Sequence, residues 1–276
     1  MRPVADYHLH TPYCGHARGK TIDYVECALT AGLGEIAFTD HLGRYYLSKS
    51  QRRRYWDWGI APERLYRYCE EIENLRETYE GHITIRLGIE ADYVEGAEEQ
   101  LAHLLETHDF DFVLGSLHCL PALSWRHLAK ISTSDPQQTY REYFRCALAA
   151  IDSGLFDSLA HLDFIWRYHP WPPPDVHEAC SLLAAVVDAC TKKGVCIEIN
   201  ANAYNWSLAN DPGPHDPFER LLREVAARAT PITLGSDAHS PQSVGAGFND
   251  IITLLHRHGI TTQQRFSARR STSTPL

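Results

Sequence analysis

Long apolar segments are missing from this sequence. No run approaches the roughly 18 apolar residues that a transmembrane helix needs, and the first residues, Met1–Asp6, contain no apolar signal core. We therefore expect a cytoplasmic protein without a membrane partner. The eight cysteines include no CxxC pair, and the chain is not a small secreted one, so we interpret them as reduced thiols that lie mostly in the core.

Excess positive charge is also missing. The 26 Lys and Arg residues are outnumbered by 35 Asp and Glu residues, giving a formal net charge of -9. Nonspecific nucleic-acid binding depends on clustered Lys and Arg, so we expect no nucleic-acid partner and favour a small-molecule substrate. A homo-oligomer is compatible with this composition.

Internal repeats and linkers are absent from the 276 residues. The length suits two small domains or one α/β barrel, and we favour the barrel. We predict one domain over residues 1–265. The last residues, 266–276, are polar with little to bury, and they predict a flexible C-terminal tail.

Short β-rich segments alternate with longer segments of helical periodicity. This alternation is typical of a parallel sheet with crossover helices. The predicted strands are Val4–His10, Glu35–His41, Ile83–Tyr93, Phe112–His118, Ser158–Phe164, Val195–Asn200 and Pro231–His239. The predicted helices are Ile22–Ala31, Pro62–Tyr79, Ala97–Thr107, Pro136–Gly154, Asp175–Gly194 and Pro217–Ala229. Two segments, Leu42–Trp58 and Tyr204–Pro217, are predicted as long loops over a functional site.

The sequence has sixteen histidines, and many of them fall at predicted strand ends. Six of the seven predicted strands finish in residues able to bind metal, and the sixth, with Glu198 and Asn200, is the exception. These candidates are His8, His10, Asp40, His41, Glu90, His118, His161, Asp237 and His239, with His16 shortly after the first strand. Residues two apart on a strand point the same way, and the carboxyl ends of barrel strands meet at one rim. Imidazole with carboxylate favours Zn, Mn or Fe.

A single His or Asp at a strand end is more often a hydrogen-bonding residue than a metal ligand. We give that interpretation to Asp92, Asp163 and His103. Independent structural roles do not explain so many residues at equivalent positions on different strands. The set therefore predicts a shared metal site.

Six motifs resemble those of the PHP superfamily, named for its polymerase-associated and histidinol-phosphatase members. They run in family order from residue 4 to residue 241. The motifs are His8-Leu9-His10-Thr11 with His16, Phe38-Thr39-Asp40-His41, Gly88-Ile89-Glu90-Ala91-Asp92-Tyr93, Gly115-Ser116-Leu117-His118, Ala160-His161-Leu162-Asp163 and Gly235-Ser236-Asp237-Ala238-His239. Each motif alone is weak, whereas the six together are highly specific.

The resemblance implies a distorted, TIM-like (β/α)7 barrel with two or three divalent metal ions at the C-terminal ends of its strands. By motif, one ion would be held by His8, His10, Glu90 and Asp237, and Glu90 would bridge to a second ion. The second ion would be held by His118 and His161, and the third by His16, His41 and His239. Asp40 would orient these ligands.

Within the superfamily, the length of the chain and the Glu-x-Asp-Tyr element are similar to those of histidinol-phosphate phosphatases. The reaction this implies is hydrolysis of L-histidinol phosphate, in histidine biosynthesis, by a metal-bridging hydroxide. Asp237 or His239 is the candidate general acid, and Arg167 is equally consistent with a phosphate clamp or a surface salt bridge. Two alternatives stay open: a phosphoesterase acting on nucleotides or another phosphate ester, and a noncatalytic metal-binding module.

Three further groups have less specific interpretations. Cys14 and Cys119 adjoin ligand motifs, so a thiolate nucleophile or a soft metal ligand is considered, although core packing is the commoner role. A cationic group in the second loop is a candidate substrate contact, although a charge run is usually a solvated surface. This group is Arg44, Arg52, Arg53 and Arg54. Six tryptophans are candidates for an aromatic pocket: Trp56, Trp58, Trp125, Trp166, Trp171 and Trp206.

Overall fold

The computed structural model describes residues 4–52, 59–121, 126–130 and 135–276, with the backbone alone for Arg126. Its strands are β1 (Ala5–Leu9), β2 (Glu35–Phe38), β3 (Thr84–Asp92), β4 (Phe112–Ser116), β5 (Cys119–Leu120), β6 (Arg126–His127), β7 (Ser158–Leu159), β8 (Cys196–Asn200), β9 (Ile232–Gly235), β10 (Thr262–Ser267) and β11 (Arg270–Pro275). Its α-helices are α1 (Thr21–Ala31), α2 (Lys49–Arg52), α3 (Leu65–Thr78), α4 (Glu98–Leu105), α5 (Pro136–Ser153), α6 (Phe164–Tyr168), α7 (Val176–Lys193), α8 (Ala201–Asn210), α9 (Pro217–Arg228) and α10 (Phe248–Arg257). None of the described helices is long and apolar enough to cross a membrane.

Seven parallel strands form a barrel in the order β1-β2-β3-β4-β7-β8-β9. The first and last strands meet through a parallel bridge between Leu9 and Ala238. There the backbone N–H of His10 donates to the carbonyl of Ala238 at 3.0 Å, and the N–H of Ala238 donates to the carbonyl of His8 at 3.2 Å. All seven predicted barrel strands are present, and the predicted (β/α)7 architecture is confirmed.

Capping residues mark the ends of two crossover helices, α5 and α7. Asp135 and Asp175 accept hydrogen bonds from the first-turn backbone N–H groups of α5 and α7, which satisfies donors that lack an intrahelical partner. Gly194 follows α7 with a φ of 71°, a left-handed conformation that glycine adopts without a Cβ penalty. The predicted helix boundaries therefore agree with the structure to within a residue or two at these sites.

The prediction of a flexible tail over residues 266–276 is wrong. Residues 262–275 form the antiparallel hairpin β10–β11, which covers the N-terminal end of the barrel. Phe266 is only 4% exposed, and its ring lies 4.9 Å from that of Phe112. Arg269 binds the carboxylate of Asp157 through Nε and a terminal guanidinium nitrogen at 3.0 Å. The buried ring of Phe266 and the ion pair of Arg269 hold this polar segment against the barrel. The predicted domain boundary at residue 265 falls inside β10.

The prediction of a loop over Tyr204–Pro217 is partly wrong, because residues 204–210 belong to α8. The side chain of Asn200 accepts a hydrogen bond from the N–H of Asn202 and so starts this helix. The other predicted loop, Leu42–Trp58, is described only as far as residue 52. It contains the short helix α2, and Leu42 forms a parallel bridge with Ile60.

Candidate metal centre

Glu90 lies at the middle of a buried group of histidines. Its Oε2 atom is 3.4 Å from Nε2 of His8 and 2.5 Å from Nδ1 of His41. Its Oε1 atom is 3.1 Å from Nε2 of His161 and 3.6 Å from Nε2 of His118. The two oxygens of one carboxylate therefore face two different sets of imidazoles.

His8 and His10 reach Glu90 from the first strand. The pairing register between β1 and β2 shifts between Asp6 and Leu9, which places one extra residue in β1. A bulge of this kind re-aims side chains. Nε2 of His10 lies 3.6 Å from Oε2 of Glu90, and both histidines are fully buried.

His16, His41 and His239 form a second group beside the first. The ring of His16 lies 5.3 Å from that of His41 and 4.5 Å from that of His239. One nitrogen from each ring can be chosen so that all three lie within 4.8 Å of one another, as a shared metal ion requires. The structure thus brings together nine predicted residues, here called the histidine cluster: His8, His10, His16, His41, Glu90, His118, His161, Asp237 and His239.

Asp237 follows the last barrel strand with a φ of 54°. This left-handed conformation is uncommon for a residue other than glycine, and such residues concentrate at functional sites. Its Oδ1 atom lies 3.3 Å from Nε2 of His10 and 3.6 Å from Nε2 of His8. Its other oxygen accepts a hydrogen bond from the side-chain amide of Asn202 at 2.9 Å. The backbone turn and this hydrogen bond together aim one carboxylate oxygen at the two histidines.

The donor set fits bound cations. Within the described part of the chain, Nε2 of His8 has no hydrogen-bond partner, although it is fully buried. A buried polar atom without a partner is costly unless something else binds it. Burial lowers the pKa of His41 and of His239 to about 3, so both rings are neutral at pH 7. Neutral imidazole is the form that binds metal.

Two carboxylates outside the histidine cluster contact its members directly, and a third holds the residue that follows His10. Oδ1 of Asp92 lies 3.0 Å from Nδ1 of His118 and accepts the backbone N–H of His118 at 2.9 Å. Glu198 lies 2.5 Å from Nδ1 of His8. Asp40 accepts the backbone N–H of Thr11 at 2.8 Å and also accepts its hydroxyl. The hydrogen-bonding interpretation of Asp92 agrees with these contacts, and Glu198 is a functional residue that we did not identify from the sequence.

A cavity of about 560 Å³ opens beside the histidine cluster. Apart from cluster members, its lining includes Gly15, His127, Phe164, Arg167, Tyr168 and Asn202. Nε of Arg167 lies 2.6 Å from Oδ2 of Asp163, and both side chains are largely buried. Arg167 is therefore neither a surface salt bridge nor an unpaired cation, because it forms a buried ion pair at the cavity wall.

The remaining candidates lie elsewhere or lack the expected chemistry. His103 is an exposed residue of α4. Burial raises the pKa of the Cys14 thiol to about 12 and also raises the pKa of the Cys119 thiol, so both are protonated at pH 7. A protonated thiol is a poor nucleophile, which argues against the thiolate hypothesis.

None of the described members of the arginine group or of the six tryptophans lines the cavity. Arg44 is partly buried, and Arg52 pairs with Glu63, while Arg53 and Arg54 lie outside the described residues. Trp166 is buried in the core, and Trp171 and Trp206 pack against it. The other three, Trp56, Trp58 and Trp125, are outside the described residues. The described aromatic side chains at the cavity are instead His127, Phe164 and Tyr168, for which the sequence offered no signal.

Comparisons with known proteins agree with this arrangement. Residues 6–202 match the family model described as "PHP domain". A probable histidinol-phosphatase of Deinococcus radiodurans is 34% identical over 258 residues, which cover 91% of this chain and 92% of that protein. The histidinol-phosphatase of Bacillus subtilis is 26% identical over 263 residues, which cover 88% and 96% of the two chains.

A solved structure has a similar fold. The histidinol phosphate phosphatase of Lactococcus lactis, crystallised with zinc, L-histidinol and phosphate, superposes with a TM-score of 0.79. The match covers 98% of this chain and 99% of that one at 22% sequence identity. At this identity the likeness establishes the barrel.

Proposed function

The chain belongs to the PHP domain family, and on that premise we propose that it is a metal-dependent phosphomonoesterase that hydrolyses L-histidinol phosphate to L-histidinol and inorganic phosphate. The observation that carries this proposal is the position of Glu90, whose two carboxylate oxygens face separate sets of buried histidines beside a cavity. Relatives that cover nine tenths of the chain are named histidinol-phosphatases, which supports this substrate over other phosphate esters.

We assign the metal ligands by these contacts. The first ion would be held by His8, His10, Glu90 and Asp237. Glu90 would also contribute to a second ion held by His118 and His161, and a third would be held by His16, His41 and His239. Mixed imidazole and carboxylate donors favour Zn, Mn or Fe over Mg or Ca. The zinc in the Lactococcus lactis structure supports one of these choices.

Bound divalent ions supply positive charge for the phosphoryl oxygens and a deprotonated water at neutral pH. The side chains of this protein supply the rest. Nε of Arg167 contacts Asp163 and the side chain lines the cavity, where its guanidinium can donate to a phosphate oxygen. In the overall reaction water adds to phosphorus, the ester P–O bond breaks, and the departing oxygen receives a proton. Asp237 or His239, both at the cavity wall, is the candidate to pass that proton on, and it must first take the proton from a water molecule because neither side chain is protonated at neutral pH.

A phosphatase panel tests the proposal. Purified protein reconstituted with Zn, Mn or Fe is assayed for phosphate release from L-histidinol phosphate, from nucleotides and from an oligonucleotide. We expect L-histidinol phosphate to be cleaved with the highest kcat/KM. Preference for a nucleotide would contradict the histidinol-phosphatase proposal and favour a phosphoesterase that acts on other substrates. No phosphate release from any substrate would favour a noncatalytic metal-binding module.

A histidine substitution links this activity to the site. His118→Ala removes a nitrogen that faces Glu90 and is expected to abolish turnover and lower the bound metal while the fold is kept. His103→Ala changes an exposed histidine of α4 and is the matched control. Equal activity in the two variants would contradict the assignment.

A further inference from the structure

Three aromatic side chains line the cavity next to the histidine cluster, and we call them the aromatic wall: His127, Phe164 and Tyr168. The ring of Phe164 lies 4.7 Å from that of Tyr168 and 5.4 Å from that of His127. The rings of His127 and Tyr168 are 6.4 Å apart. These spacings are those of aromatic rings in direct contact, so the aromatic wall is one continuous surface.

The aromatic wall extends outward from two proposed metal ligands. The ring of Phe164 lies 4.7 Å from that of His118 and 5.2 Å from that of His161. At its outer end Tyr168 is 47% exposed. Of the four large hydrophobic side chains that the described residues leave exposed, Tyr168 is the one that lines the cavity. A group that extends from a phosphate at the histidine cluster toward Tyr168 would contact this surface.

Arg167 fixes the outer part of the aromatic wall. Its guanidinium carbon lies 5.3 Å from the centre of the Phe164 ring and 6.0 Å from that of Tyr168. The ion pair with Asp163 holds the guanidinium there, which places a proposed phosphate contact and the aromatic surface side by side.

From this geometry we infer that the aromatic wall binds the leaving group of the substrate and that Tyr168 selects leaving groups with a planar ring. The inference rests on the proposed function and specifies which part of the site recognises the alcohol. L-Histidinol carries a planar imidazole, whose faces and edges complement an aromatic surface.

Few of the other described side chains that line the cavity are suited to bind this imidazole ring. Among the lining residues that the structure describes, Asp237 is the one carboxylate, and it already contacts His10 and Asn202. The other lining side chains outside the aromatic wall are cluster histidines, Arg167 and Asn202. Among the described lining residues, the aromatic wall is therefore the surface that offers apolar contacts to the leaving group.

Substitution of Tyr168 separates ring recognition from the chemical step. Tyr168→Leu keeps an apolar side chain and removes the ring, and Tyr168→Phe keeps the ring. Tyr66→Leu, at a tyrosine of α3 that is 53% exposed and outside the cavity lining, is the matched control. KM and kcat are measured for L-histidinol phosphate and for leucinol phosphate, in which an isopropyl group replaces the imidazole.

We expect Tyr168→Leu to raise KM for L-histidinol phosphate about 2- to 10-fold, the range of one aromatic contact, with kcat changed less than about twofold. KM for leucinol phosphate should stay nearly constant, and Tyr168→Phe should retain the preference for the ring. An equal change for both substrates would overturn the inference, as would no change for either.

Two further measurements distinguish failure of this inference from failure of the proposed function. Benzyl phosphate and cyclohexylmethyl phosphate share a primary alcohol and differ in ring planarity, so their KM ratio tests Tyr168 even if L-histidinol phosphate is not a substrate. Calorimetric binding of L-histidinol and of L-leucinol requires no turnover. Loss of the wild-type preference for L-histidinol in Tyr168→Leu supports the inference, and absence of any such preference in the wild-type protein overturns it.

Discussion

Glu198 accepts a hydrogen bond from Nδ1 of His8 at 2.5 Å. Its second oxygen accepts the backbone N–H of His161 at 2.6 Å and the side-chain amide of Asn200 at 3.1 Å. The first contact leaves Nε2 of His8 as the nitrogen that faces Glu90 and Asp237. A strand that lacks a histidine thus sets the orientation of a histidine on another strand, as carboxylates behind metal ligands often do.

Glu198→Gln should weaken metal binding. The neutral amide is a poorer acceptor for His8 and presents only one oxygen, so we expect an affinity loss of about 10- to 100-fold. Competition with a chromophoric chelator measures it. Glu219→Gln, which alters the contact between His258 and Glu219 of α9 outside the cavity lining, is the matched control. Equal affinity in the two variants would show that Glu198 has no role in orienting His8.

Gly235→Ala should disturb the same contact from the neighbouring strand. A Cβ at Gly235 would lie 1.9 Å from Oε1 of Glu198 and 2.8 Å from Cβ of His8, so the carboxylate must move. We expect lower stability to urea together with weaker metal binding. In a double-mutant cycle with Glu198→Ala, which removes the obstructing oxygen, the loss of stability should be less than the sum of the two single losses. If the two stability losses add exactly, the new methyl group does not clash with the side chain of Glu198.

The barrel was predictable because buried parallel strands leave a strong local signal. Segments such as Ile232–Gly235 are short apolar runs bounded by turns and helices, and their ends carry the ligand residues. The fifth predicted strand, Ser158–Phe164, was too long. Only Ser158 and Leu159 pair in the barrel, while Phe164 begins α6.

The parts that were missed depend on contacts between distant segments. Local composition favoured a loop over Tyr204–Pro217, but the first part of this segment is helical. Asn200 caps the helix, and the ring of Tyr204 lies 5.9 Å from that of Phe218 on α9. For Glu198 the sequence predicts the strand but not the partner, His8, which is 190 residues away. The sequence around Tyr168 does not predict that its ring lines the cavity either, since a tyrosine in a short helix is compatible with many roles.

Removal of metal should lower the thermal stability of the protein. The histidine cluster buries five imidazoles and the carboxylate of Glu90. Without bound cations, nothing offsets the desolvation cost of the buried nitrogens and oxygens that face one another. Chelation followed by a thermal melt should give a lower Tm than the loaded protein, and returning Zn or Mn should restore it. The stoichiometry of the restoring titration distinguishes two ions from three. An unchanged Tm after complete demetallation would contradict the proposed ligand set.

The C-terminal hairpin should contribute to stability and leave catalysis unaffected. Phe266 packs against Tyr7 and Phe112 at the end of the barrel opposite the histidine cluster. Phe266→Ala should therefore cost about 3–5 kcal/mol of unfolding free energy, measured by urea denaturation, while kcat of the folded fraction stays the same. Ser273→Ala, on the exposed strand β11, is the control and should stay within about 0.5 kcal/mol of wild type. A small effect at Phe266 would mean that the hairpin detaches readily in solution, and a fall in kcat without unfolding would mean that the two ends of the barrel are coupled.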